Sequence, residues 1–468
     1  SIDHTAPSQN FLGFMLPYTP LHLLLLQPAP GFPDVLVMTS GNISEEPIAY
    51  EDEDAFERLT SIADCFLTHN RPIHMRVDDP VLRVFSEEPY PIRRSRGYAP
   101  DPLSFPLQLP EILACGAELK NTFSLSREKY IFLSHHIGDL ENLETLRSFE
   151  EGITHYSNLF RVKPRQVAVD LHPDYLSTKY GFKYAKENNL HLTQVQHHHA
   201  HLASCLADNQ WVNSDPVIGL IFDGTGYGSD GKIWGGEVLY GGYQSYQRIY
   251  HLAETMLPGG DTAIRNPAKI ALSHLFSSGI DWDDNLAPVR TFSLDDRFIL
   301  QKQLFSEINC PKTTSMGRLF DSVSSLLGIR QVVTYEGQAA IELENCYDPD
   351  ETGSYDLPVL NDQLNILALY PQILEDLSAG ISVNRISARF HNSIAHMCLQ
   401  VCTIVRKRTG TQVVALSGGV WQNMTLLQKT HLLLRKSGFT TLTHHRIPAN
   451  DGGISVGQLL VAYSTLNK

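Results

Sequence analysis

The 468-residue chain has no apolar run long enough to span a bilayer. Its longest block of consecutive leucines, Leu23 to Leu26, makes a single helical turn between Pro20 and Pro28. No signal peptide or lipidation motif is visible, so no membrane partner is expected and a cytoplasmic protein is. The seven cysteines contain no C-x-x-C pair, which argues against a cysteine zinc finger and a disulfide scaffold and suits a reducing compartment. Cys398 and Cys402, one helical turn apart, read as small core residues. Positive charge is also short: 37 Lys and Arg face 51 Asp and Glu, a net charge of −14, and no nucleic-acid partner is expected. The chain opens on Ser1 rather than Met, and Phe14-Met15-Leu16-Pro17 reads as the middle of a domain, so part of a longer protein is expected.

What remains is an ordinary globular composition, enough for two or three domains. A first region runs to about residue 105, with a helix over Leu21 to Gln27, a buried strand Val35 to Met38 and a helix near Asp52 to Ile62. Prolines at 100, 102, 106 and 110 mark a linker over 106–110. Beyond it, strands and long helices alternate in two halves, 111–214 and 215–468, the second including the last helix. The pattern predicts an α/β protein.

The chemistry concentrates in a few places. His197-His198-His199-Ala200-His201 opens the apolar run Leu202 to Ala207, which reads as a helix. Residues four apart share a helix face, so His197 and His201 can address one metal ion. The strand-like run Val217 to Phe222 ends in Asp223-Gly224-Thr225-Gly226-Tyr227-Gly228, where Asp223 offers a third ligand. Asp451, in Asn450-Asp451-Gly452-Gly453 before the last helix, either caps that helix or supplies a fourth. Two imidazoles and two carboxylates suit zinc or iron. The turn Ser417-Gly418-Gly419, between a strand and the helix opening near Asn423, could bring backbone N–H groups to a nucleotide. Asp321 either faces a ligand or a neighbouring helix end, and Glu336 sits in a further glycine turn. In the first region Thr39 and Ser40 offer hydroxyls for phosphate, and Arg93, Arg94 and Arg96 offer guanidinium forks or merely a solvated face.

Taken together and in this order, His-His-His-Ala-His, Phe-Asp-Gly-Thr-Gly-Tyr-Gly, Leu-Pro-Gly-Gly-Asp, Gly-Arg-Leu-Phe-Asp, Tyr-Glu-Gly-Gln-Ala-Ala, Ser-Gly-Gly-Val-Trp-Gln-Asn and Asp-Gly-Gly-Ile-Ser-Val-Gly-Gln resemble the HypF family, the carbamoyltransferases of nickel–iron hydrogenase maturation. Residues from about 111 onward resemble its TsaD-like domain, an actin/Hsp70/sugar-kinase type two-lobed ATPase fold. Residues 1–105 resemble the later part of its YrdC-like α/β domain, through Thr39-Ser40-Gly41-Asn42, Met75-Arg76-Val77-Asp78-Asp79 and Arg93 to Pro100. The acylphosphatase domain, the zinc-finger segment and the first half of the YrdC-like domain are missing from the chain, so it is not expected to make carbamoyl-adenylate from carbamoyl phosphate and ATP.

The resemblance implies transfer of the carbamoyl group from carbamoyl-adenylate to the C-terminal cysteine of a HypE-like acceptor. It implies one zinc or iron ion on His197, His201, Asp223 and Asp451. It places ATP, carbamoyl-adenylate or AMP, with magnesium as ATP's usual companion, against Gly224, Thr225, Gly226, Asp321, Glu336, Gly418, Gly419 and Asn423. It adds Thr39, Ser40 and Arg96 in the first region, and leaves His198 and His199 to orient or deprotonate the acceptor. Rival readings are a small-molecule O-carbamoyltransferase of the TobZ type, a tRNA threonylcarbamoyl-transfer enzyme and a non-catalytic ATP-binding partner module.

Overall fold

A strand pair followed by parallel strands recurs twice along the chain and organises its larger part. The structure, a computed structural model, describes residues 5–43 and 46–466. It divides into two compact units, with the boundary between Arg76 and Val77.

In the first unit the helix Pro20–Leu25 is capped by Thr19, whose hydroxyl accepts the His22 N–H at 3.1 Å. The helix Asp52–Leu59 is tied to its approach by Arg58, which donates to Asp54 at 2.9 Å and Glu46 at 2.8 Å. The buried strand expected at Val35 to Met38 does not form. Val35 and Val37 are each 80% exposed, and among the described residues before Val81 there is no strand to pair with them. Period-two apolar spacing makes a strand only where a neighbour takes its N–H and C=O groups. No described residue of this unit is buried.

The second unit holds two sheets. In one, Ser124–Leu133 runs antiparallel to Ile112–Ala114, which is parallel to Gln166–Asp170, itself parallel to His191–Val195. In the other, Ile233–Gly241 runs antiparallel to Val217–Tyr227, followed in parallel by Val413–Ser417 and Thr440–Leu442. Each sheet adds an antiparallel outer strand, Leu103–Leu109 in the first and Tyr246–Leu252 in the second. One two-lobed α/β plan is thus used twice. The central strands are continuous apolar runs because both of their faces are covered.

Two further sequence expectations need revising. The proposed linker at 106–110 is mostly the edge strand Leu103–Leu109, with Phe105 and Leu109 buried. Pro106 faces out on that edge, where a missing N–H costs little. Ser124–Leu133 is a continuous strand, its exposed Glu128 taking a left-handed backbone at mid-length. Finally, Val217–Tyr227 does not end at Asp223. It continues through Gly224-Thr225-Gly226 with a register shift between Phe222 and Gly226, and the chain reverses only at 228–232. A bulge accommodates glycine as readily as a turn does, and it re-aims the side chains beside it.

The helix His197–Asp208 lies between the two sheets. Leu202, Cys205 and Leu206 pack with Val217, Ile221, Leu239 and Ala415, while Ala200 and Ala203 pack with Ala117, Val195 and Ile454. Gln196 starts it by accepting the His199 N–H at 2.9 Å. The last helix, Ile454–Thr465, crosses it so closely that a Cβ on Gly457 would stand 1.8 Å from the Ala200 carbonyl oxygen. A glycine inside a helix costs about 1 kcal/mol relative to alanine, and here it permits the contact. Among the described residues no helix is long and apolar enough to cross a membrane.

Candidate metal and nucleotide site

The buried helix presents His197 and His201 on one face, one turn apart, toward the Asp223 bulge and the start of the last helix. His197 Nε2 lies 3.4 Å from Asp223 Oδ2 and 3.5 Å from Asp451 Oδ1. His201 Nε2 lies 3.1 Å from Asp223 Oδ2 and 3.5 Å from Asp451 Oδ1. All four donor atoms fall within 4.8 Å of one another. Donors about 2.0–2.2 Å from an ion in a tetrahedron stand roughly 3.3 Å apart, so this spacing fits one divalent ion. His197 Nε2 is buried without a hydrogen bond.

His197 and Asp223 are held from behind. Asp170, at the end of its strand, accepts the His197 Nδ1–H at 2.9 Å, which turns Nε2 toward the cluster. The second oxygen of Asp170 accepts the His172 N–H at 2.9 Å. Asp223 Oδ1 accepts the Gly419 N–H at 3.0 Å, leaving Oδ2 for the histidines. Asp451 is released from capping because Asn450 does that work: its Oδ1 accepts the Gly452 N–H at 3.0 Å, and its Nδ2 donates to the Ile92 carbonyl at 2.9 Å.

Without an ion the cluster stores charge as protons. Burial opposes a charged His197 ring, yet the carboxylates of Asp451 and Asp170 outweigh it and hold its pKa well above the ordinary histidine value. His201 is raised in the same way, chiefly by Asp223 and Asp451 against burial. Burial would raise Asp223, but the His197 and His201 imidazoles against it keep it well below the usual carboxylate range. A divalent ion supplies the positive charge that these protons otherwise provide.

Above the cluster opens a cavity of about 400 Å³, within the range of small-molecule sites. Asp223 and Asp451 form part of its wall, with Gly224, Thr225, Asp321, Glu336, Gly419 and Asn423. Asp321 is buried and 2.8 Å from Arg318. Burial raises its pKa, with the guanidinium pulling the other way. Asn423 is held through both ends of its amide: Oδ1 accepts the Leu426 N–H at 2.8 Å, and Nδ2 donates to His391 Nε2 at 3.0 Å. One wall belongs to the hairpin formed by Val81–Phe85 and Glu88–Arg93, through Val81, Arg83 and Ile92.

The remaining predicted residues stand elsewhere. Gly226 does not line the cavity. A Cβ there would lie 2.5 Å from His198 Cε1 and 2.7 Å from His197 Cδ2, so its bareness admits the histidine helix. A Cβ on Gly418, at φ +108, would stand 2.2 Å from the Phe222 carbonyl oxygen, and its N–H donates to the Ala449 carbonyl. Neither His198 nor His199 lines the cavity. His198 Nδ1 is 3.2 Å from Gln196, and burial drives its pKa well down. His199 donates through Nε2 to the Gly242 carbonyl at 2.7 Å, and burial lowers it to about 4. Arg96 donates to the Val77 carbonyl at 2.9 Å, and Arg94 is buried against the carbonyls of Leu133, Tyr98 and Asp101. Thr39 and Ser40 lie exposed in the first unit. Asp170, Lys120, Arg83 and Arg318 are site residues that the sequence reading did not single out. Only Asp170 carried a signal: an acid at a strand end, two residues before His172-Pro173.

The two-lobed fold with a His–His–Asp–Asp cluster in its cleft is that of a Kae1-like protein. Family models agree: one described as HypF Kae1-like domain matches residues 108–208, and one described as carbamoyltransferase, Kae1-like domain, second subdomain matches residues 219–458. Residues 2–95 match the Sua5/YciO/YrdC model, described as telomere recombination. The chain is 39% identical to carbamoyltransferase HypF of Synechocystis over 98% of its own length, and spans 61% of that relative. It is 31% identical to a HypF homologue of Cupriavidus necator, covering 75% of this chain and 91% of the relative. Among solved structures, full-length HypF in a phosphate- and nucleotide-bound form superimposes with a TM-score of 0.91 at 41% identity, over 99% of this chain and 72% of that one. HypF of T. kodakarensis gives 0.85 at 32% identity, over 92% and 57%. The chain belongs to the HypF carbamoyltransferase family.

Proposed function

We propose that this chain carries the carbamoyl-transfer half of a HypF reaction: it receives carbamoyl-adenylate and passes the carbamoyl group to the C-terminal cysteine of a HypE-like acceptor in hydrogenase maturation. The observation that carries this reading is the four-donor cluster, two of whose carboxylates stand in the wall of a cavity of about 400 Å³. The nucleotide-bound relative supports a nucleotide as the occupant.

His197, His201, Asp223 and Asp451 would hold zinc or iron, which would draw electrons from a phosphate or carbamoyl oxygen as a Lewis acid. Asp170 keeps the His197 ring in the one tautomer that leaves Nε2 for the ion. Gly224, Thr225, Gly419 and Asn423 flank the nucleotide, and Asp321 and Glu336 serve its ribose or base. In the transfer the acceptor sulfur forms the C–S bond as the C–O bond to the adenylate phosphate breaks, AMP leaves and the thiol proton passes to solvent.

The test supplies carbamoyl-adenylate made in situ by a full-length relative's YrdC-like domain, a HypE-type acceptor and this chain, and follows the acceptor cysteine by mass spectrometry. Carbamoylated cysteine with the wild type and none with His201→Ala is the expected result. A carbamoylated small-molecule hydroxyl with an untouched cysteine would favour the TobZ-type reading. Nucleotide binding with no transfer to any acceptor would leave a binding module.

A further inference from the structure

We propose that Lys120 is the cation that meets the phosphate oxygens of the nucleotide in this cavity. The inference rests on the nucleotide reading above and adds a residue to it.

Three cations line the cavity: Arg83, Lys120 and Arg318. Arg318 is committed, 2.8 Å from the buried carboxylate of Asp321 one helical turn along. Lys120 reaches in from the opposite lobe, in the turn after the strand Ile112–Ala114. It lines the same cavity as Asp223 and Asp451, the two carboxylates of the metal cluster. A phosphate bridging toward an ion at that cluster would therefore come within its reach.

Among the described residues, the counter-ion in contact with Lys120 is Glu336, an ion pair across the cleft. The Glu336 side chain is 52% exposed, against 31% for Lys120. A carboxylate that water can screen holds an ammonium weakly, and a phosphate in the cleft, with more negative charge, offers the same ammonium charge-assisted hydrogen bonds. The backbone at Lys120 is fixed for this task. Its φ is +47, in the left-handed region that non-glycine residues seldom adopt, and Asp139 secures it by accepting the Lys120 N–H at 2.7 Å. Such conformations gather at ligand clamps.

The test measures AMP and adenosine binding by calorimetry on zinc-loaded wild type, Lys120→Gln, Lys120→Asn and Lys120→Arg. Asparagine is included because it accepts left-handed backbone. The expected result is at least a tenfold loss of AMP affinity in both neutral variants, with adenosine binding and zinc content unchanged, and recovery of most of the loss by arginine. Wild-type AMP affinity in Lys120→Gln and Lys120→Asn would overturn the proposal. So would equal losses for AMP and adenosine, which would mark Lys120 as a structural strut. A wild type that binds neither ligand would overturn the nucleotide reading itself, and the role of Lys120 with it.

Discussion

Asp170→Asn is the most searching change to the metal site that leaves all four donors in place. Asp170 is fully buried, with one oxygen on the His197 Nδ1–H and the other on the His172 N–H, both at 2.9 Å. Asparagine has the same shape but brings one oxygen where there were two. If that oxygen stays on His197, the ring keeps its tautomer and loses only the charge that makes Nε2 a better donor. If it turns to His172, an amide N–H faces the ring N–H and His197 rotates. Carboxylate partners of metal-bound histidines contribute about 10–100-fold in metal affinity, or about 1.4–2.7 kcal/mol. Competition of the protein with a fluorescent zinc chelator should therefore show a 10–100-fold weaker site, with the far-UV circular dichroism of the wild type. Wild-type zinc affinity in Asp170→Asn would refute the claim that Asp170 orients His197.

Gly457→Ala pits helix propensity against sterics. Alanine would gain about 1 kcal/mol as a helix former, but its Cβ would lie 1.8 Å from the Ala200 carbonyl oxygen. Overpacking of about 1–3 kcal/mol wins, so the melting temperature should fall, and a rise would show that the two helices can separate freely. Glu118 gives a pH test. Burial raises its pKa to about 7, partly offset by the Leu176 N–H it accepts. Its folded value thus lies above the unfolded one, near 4.3, so the protein gives up stability as pH rises from about 4 through 7. Glu118→Gln should raise the melting temperature at pH 8 and leave it unchanged near pH 4, and an equal effect at both would contradict the assignment.

How much of this was legible in the residues varies by element. The His197–His201 pair could be read because helix spacing is local, and the apolar run behind it announced the helix. Asp451 could not be separated from a cap until Asn450 was seen to do the capping. Asp223 was singled out as a donor at a strand end that proved to be a bulge, since Gly-x-Gly fits both. Gly226 and Gly418 carry the same local signature as ligand-binding glycines, and their tight neighbours, His198 and Phe222, are set only by tertiary packing. Lys120 looked like any turn lysine because the cavity it lines is closed by Glu336, far along the chain and in the other lobe. Val35 to Met38 misled for the converse reason: apolar spacing says what could be a strand, and pairing decides it.

The account's central claim is one metal ion and one nucleotide sharing the cleft, and the most direct measurement is metal content together with ATP binding for the wild type and His201→Ala. The account predicts one equivalent of zinc or iron in the wild type and measurable ATP binding, both weakened by the substitution. ATP binding at full strength without metal, unchanged in His201→Ala, would contradict it.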